Sequence, residues 1–224
     1  MPYLFPGKRA REVSRIARAN GLRYAESEEV RAPVSLLAQG DGRPAENVVE
    51  GIVAGRRVVA FDYGYLRARL EPDENPSLVG YPADAPEFSY EDGNQYTVAL
   101  TQLAVALPML HLAPRNRRRP QVRYEDEIPL DDAVLRDMFQ TWAADPDYAD
   151  VFVAGSMRDF LLSTEAQFTF EVCGSWVACI SRSLKAGEIP PFMRLLVEFC
   201  RRIPPGAVDF AADLEVPPPG GSSG

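Results

Sequence analysis

Among its 224 residues the chain has one histidine, His111, and only two lysines, Lys8 and Lys185. A single imidazole excludes a histidine-based zinc or non-haem iron site, which takes two or more. It would also have to be the base of any Ser-His or Cys-His pair, and no G-x-S-x-G elbow supplies a nucleophile. His111 therefore reads as an ordinary strand residue. Cysteine is scarce as well. Cys173, Cys179 and Cys200 are odd in number and lack C-x-x-C spacing, which excludes a disulfide framework and predicts free, reduced thiols. Neither G-x-x-x-x-G-K-S/T nor G-x-G-x-x-G occurs, so no nucleotide cofactor is expected. No apolar run reaches the roughly 18 residues of a membrane span. The longest, 98–112, is broken by Thr101, Gln102, Pro108 and His111. The basic start lacks the apolar stretch of a secretory signal, and a cytoplasmic location is expected.

What is present is a globular composition, 46% hydrophobic and 25% charged, sufficient for one well-filled core. We read a single domain over 1–204 and a Pro- and Gly-rich tail, 205–224, that is largely disordered. The net charge of −8 comes from 32 acidic against 24 basic residues. It is unevenly spread. Residues 1–24 stand at +5, six basic side chains against Glu12, which leaves −13 for the other 200. An acidic body repels nucleic acid, so specific nucleic-acid binding is not expected.

Periodicity predicts the elements. Residues 8–20 suit a basic helix with the apolar stripe Ala10, Val13, Ile16 and Ala17, stopped at Gly21. Residues 22–27 suit a short strand and 28–46 a loop. The clearest unit is a β-hairpin over 47–70, where Val59, Phe61, Tyr63 and Tyr65 alternate with Val58, Ala60, Asp62 and Gly64. Its turn at Ala54-Gly55 is either a two-residue loop or a type I turn with a bulge. Four prolines and seven acidic residues mark 71–94 as a long loop. Residues 96–107 read as a strand that Pro108 interrupts, with 109–113 continuing as a bent second strand. A loop covers 114–128, and 130–142 is ambiguous between helix and strand. Two short helices follow, 145–154 and 156–163, the second with a Ser156–Asp159 capping box. A second hairpin, 167–173 and 176–182, turns at Gly174-Ser175. Pro190-Pro191 opens and Pro204-Pro205 closes a helix with the stripe Phe192, Leu195, Leu196, Phe199 and Ile203, and Cys200 packs between it and the sheet. The elements predict an α+β fold, a mainly antiparallel meander of about seven strands with N-terminal and C-terminal helices, similar to a pleckstrin-homology-like barrel.

Few polar residues stand out. Asp62 is a charge in an apolar strand, and on a buried face it needs an Arg or backbone amides as partner. The runs Asp73-Glu74, Glu125-Asp126-Glu127 and Asp131-Asp132 read as solvated loops or as charges matched to a helix start, although paired carboxylates across a cleft can hydrolyse a glycoside. Arg115, Arg117, Arg118 and Arg119 lie between Pro114 and Pro120 and form the candidate anion contact, joined by the basic first helix.

The first hairpin fits a pattern G-x-x-x-G-R-x-V-x-x-F-D-Y through Gly51, Gly55, Arg56, Val58, Phe61, Asp62 and Tyr63, and a later segment carries Phe139, Asp145, Ala149, Leu161 and Leu162. With these motifs the chain resembles, over roughly residues 10–203, a bacterial domain family of unknown function that is frequent in actinobacteria. Many of its members look membrane-tethered through apolar helices, of which this sequence has none. The resemblance brings no established catalytic residues, and the absence of cofactor motifs implies no cofactor. The expected function is a non-enzymatic binding or scaffold module for a protein or an anionic surface. The alternative is a carboxylate-dependent hydrolase or transferase, for which Asp62, Glu50 or another acid would converge in a deep cleft.

Overall fold

The computed structural model describes residues 6–38, 44–64, 95–115 and 127–213. Six strands form one sheet: β1 (Arg23–Glu28), β2 (Ala45–Val53), β3 (Arg56–Gly64), β4 (Gln95–Pro114), β5 (Phe139–Ala143) and β6 (Thr169–Arg182). β1 to β5 pair in chain order, and β6 pairs with β4, all antiparallel. The twenty-residue β4 organises the sheet. One of its edges carries β6. The other carries β3 beside residues 95–100 and β5 beside residues 110–114. Among the described residues β1, β5 and β6 each have one strand partner. Over the described residues the sheet is therefore open rather than closed into a pleckstrin-homology-like barrel.

The α+β class and the helices at both ends agree with expectation; the described residues form six strands. The segments on either side of Pro108 are one strand, as are the two halves of the second expected hairpin, while β5 emerges from the ambiguous stretch. Register explains both mergers. Eight residue steps of β4, from Gln102 to Leu110, span only four steps of β6, from Trp176 to Val172. The excess is taken up in bulges, and Pro108 sits in one of them, where its missing N–H breaks no ladder. Gly174, at φ +58, faces Leu107 in the same zone. Its left-handed backbone serves a bulge as readily as a turn, so β6 runs straight on. One residue of slip exchanges the faces of a strand. The residues of β6 in the first core are accordingly Phe170 and Val172 before Gly174, but Val177 and Cys179 after it.

Helices α1 (Pro6–Ala19), α2 (Ser35–Ala38), α3 (Ala133–Met138), α4 (Pro146–Phe152), α5 (Ser156–Ser163), α6 (Ile189–Arg201) and α7 (Pro205–Asp209) complete the fold. Both sheet faces are buried, so β3 is apolar on its even side as well as its odd side. The first core joins Val13 and Ala17 of α1 and Phe192, Leu196 and Phe199 of α6 to Val58, Ala60, Ala99, Leu112 and Phe170. The second joins Val34 and Leu36 to Phe61, Tyr63, Tyr96, Val98 and Ile180. α1 ends where expected: Gly21 (φ +68) lets its own N–H reach Arg18 O and that of Leu22 reach Ala17 O, the paired bonds of a Schellman motif. The β2–β3 turn is the two-residue form, with Ala54 and Gly55 both at positive φ, as a type I′ turn requires. α5 begins at Gly155 with no side-chain cap, in place of the Ser156 capping box. Residues 205–213, assigned from sequence to the tail, form α7 and a 3₁₀ turn, with Ala207 fully buried.

All three cysteines are free thiols. Burial pushes Cys200 up to about 11 and Cys179 well above its usual value, so both stay protonated and unreactive. Tyr148 is buried against Phe152 and Phe210, and its hydroxyl has no hydrogen-bond partner among the described residues. Tyr148→Phe removes a buried polar group without opening a cavity. It is expected to stabilise the protein by about 1 kcal/mol, seen as a Tm rise of about 2–4 °C; a fall in Tm would contradict this.

Candidate functional site

Asp62 lies on the face of the sheet covered by α1. Arg9 of α1 grips it with both arms of its fork, Nε to Oδ2 at 3.0 Å and Nη2 to Oδ1 at 2.8 Å. The Asn47 amide donates to Oδ2 at 2.9 Å and the Thr97 hydroxyl to Oδ1 at 3.1 Å. Asn47 can reach because β2 bulges between Glu46 and Val49, with Asn47 at φ +50, a conformation asparagine tolerates. The Tyr24 hydroxyl of β1 donates to Asn47 Oδ1 at 3.1 Å. The carboxylate thus ties α1, β1, β2 and β4 together, as a buried charge in an apolar strand requires.

The docking of α1 beside β1 creates a groove of about 440 Å³, lined by Ala10, Arg11, Ser14, Arg15, Arg18, Tyr24 and Glu26. Arg11, Arg15 and Arg18 share one helix face, turned away from Val13 and Ala17, and span about 10 Å along the axis. Ten of the fifteen described arginines hold a carboxylate or a backbone carbonyl. Arg11, Arg15, Arg18, Arg182 and Arg194 hold neither among the described residues, and three of these five are in this groove. Burial first, then the charges of Glu26 and Asp62, raises the Tyr24 phenol, so its ring is a neutral wall.

The second polar cluster is on the opposite face. Glu171, 2% exposed, accepts from the Ser35 backbone N–H at 2.7 Å and from the Ser35 hydroxyl, and His111 Nδ1 lies 3.4 Å away. His111 meets Trp142 edge-on at 5.4 Å. The Ser35 hydroxyl donates to the carboxylate rather than to the imidazole, so the contacts are not those of an activated serine. Glu50 is held by Arg23, with Nε at 2.8 Å, and by Arg57. Burial alone would raise its carboxyl, but the two guanidiniums outweigh it and leave it below the usual range, wrong for a general acid. Glu50 pairs across the ladder with Val59, whereas Asp62 shares its face with Ala60. The two carboxylates expected to converge in an enzyme thus point to opposite faces.

The expected anion contact is described only at Arg115. Its guanidinium pairs with Glu127 and donates to the carbonyls of Arg136 at 2.9 Å and Phe139 at 3.2 Å. Arg117, Arg118 and Arg119 lie outside the described residues, as do Asp73, Glu74, Glu125 and Asp126. Asp132 caps α3, accepting from Val134 and Leu135 N–H at 3.0 Å. The motif residues serve the fold. A Cβ on Gly51 would come within 2.5 Å of Leu22 Cδ2. Gly55 makes the turn, Arg56 donates to the Gln102 carbonyl at 2.6 Å, and Asp145 caps α4 at Tyr148 N–H. Among the described residues no three His, Cys, Asp or Glu side chains are grouped as metal ligands, and no helix is long and apolar enough to cross a membrane.

Sequence reasoning missed Glu171 as the partner of His111, and Ser35 as the donor to Glu171. The signal was available for Glu171, which interrupts an apolar strand as Asp62 does. No protein-family model matches the chain, and no curated protein is similar to it. A solved structure is similar: that of the mycobacterial trehalose monomycolate transport factor A, TtfA, with a TM-score of 0.58 and 17% identity over 89% of this chain and 98% of that one. The likeness establishes that this chain and TtfA share a fold.

Proposed function

We propose that the chain is a non-enzymatic binding or scaffold module whose partner is a protein or an anionic surface. The observation that supports this most is how its partly and fully buried carboxylates are used. Asp62 accepts four hydrogen bonds, Glu171 is held by Ser35, and Glu50 is held between two guanidiniums. They are distributed over both faces of the sheet, whereas carboxylate catalysis needs two acids facing one cavity. TtfA is by name a transport factor, in keeping with an accessory role, and its mycobacterial origin agrees with the actinobacterial resemblance. The free thiols are in keeping with a reducing compartment, the cytoplasm.

The test compares Glu50→Gln, Asp62→Asn, Glu171→Gln and His111→Gln in the native host. Loss of cellular function is expected only in proportion to loss of folded protein, measured as Tm and abundance. If one variant kept wild-type Tm and abundance but lost function entirely, the carboxylate-dependent hydrolase or transferase would replace this reading.

A further inference from the structure

We propose that the groove between α1 and β1 binds an organic phosphate, its phosphate held by Arg11, Arg15 and Arg18 and its uncharged part against Tyr24. This rests on the reading of the chain as a binding module and names what one of its surfaces takes. The first support is the set of unused guanidiniums. In a protein whose residues 25–224 carry −13, most described arginines are neutralised by neighbours, yet three with no hydrogen-bond or ion-pair partner among the described residues line one groove. Each presents a planar fork of donors that matches phosphate oxygens.

The second support is charge. Three guanidiniums against Glu26 leave the groove at about +2 at neutral pH, the complement of a phosphomonoester dianion. A lone carboxylate would neutralise half of that. The third is size and lining. A volume of about 440 Å³ falls among small-ligand sites and exceeds what a bare phosphate fills. The Tyr24 ring and Ala10 offer apolar contact to the rest of the molecule, and the Ser14 hydroxyl is a further donor. An acidic peptide suits the groove less well, because carboxylates laid along β1 would pass Glu26 and Glu28.

The test uses the full chain, calorimetry with glycerol 3-phosphate and inorganic phosphate, and flotation with phosphatidylcholine vesicles with and without phosphatidic acid. The variants are Arg15→Gln, the triple change Arg11→Gln, Arg15→Gln and Arg18→Gln, and Arg194→Gln as a control of equal charge change. Arg9, which anchors α1, is untouched, and each variant is first matched to wild type by Tm. Arg15→Gln is expected to weaken binding about tenfold, the scale of one charge-assisted contact, the triple variant to abolish it and Arg194→Gln to leave it unchanged. Binding of glycerol 3-phosphate assigns a soluble ester, and binding confined to phosphatidic acid vesicles assigns a lipid headgroup; either supports the site. No binding to any phosphate probe, equal weakening by Arg194→Gln, or stronger binding of polyglutamate that depends on the same arginines would overturn it. Released inorganic phosphate is assayed in parallel. Hydrolysis of the ester would overturn the non-enzymatic reading and leave the site standing, whereas absence of both binding and hydrolysis removes the site alone.

Discussion

Asp62→Ala is expected to cost about 2–3 kcal/mol and to release α1 from the sheet. The substitution strands both donors of Arg9, the Asn47 amide and the Thr97 hydroxyl. Breaking a fully buried ion pair costs more, about 3–5 kcal/mol. Here the side chains are 23% and 16% exposed, so Arg9 can turn to water and the loss is smaller. Asp62→Asn keeps part of the network and should cost less. Equilibrium urea unfolding of Asp62→Ala, Arg9→Ala and the double variant measures the coupling directly. Simple additivity of the two single changes would show that the pair does not anchor the helix. Hydrogen exchange should rise selectively over residues 6–19. The groove would go with the helix, so phosphate binding should be lost although no groove arginine has changed.

The largest effect on stability is expected from Phe199→Ala, about 3–5 kcal/mol. Phe199 stacks on Phe170 with centroids 4.5 Å apart and an interplanar angle of 2°, and it also meets Phe152 and Phe160. Phe170 and Phe199 are at most 1% exposed, so α6 is held to β6 through this contact. Truncation removes the ring and leaves a cavity whose walls belong to four elements and cannot all close. Leu195→Ala, on the half-buried flank of the same helix, should cost far less. Urea unfolding of the two variants gives the comparison, and equal costs would mean that the aromatic stack is not the centre of this core.

Features governed by chain neighbours were legible in the sequence. The stop of α1 at Gly21, the hairpin around Ala54-Gly55 and the proline-framed start of α6 depend on local backbone geometry and capping chemistry, which a few adjacent residues determine. The unpaired thiols followed from cysteine number and spacing. Asp62 could be singled out because a charge among apolar strand residues must be paid for by a partner wherever it lies. Its partner, Arg9, is 53 residues away, and only the docking of α1 decided that. The merging of β6 was hidden for a related reason. Gly174 at positive φ suits a hairpin turn and a bulge equally, and the choice fell to β4, a longer partner than either half could be to the other. The groove, too, belongs to tertiary structure: the spacing of Arg11, Arg15 and Arg18 places them on one helix face, but whether a guanidinium has a partner depends on which carboxylates the folded chain brings within reach.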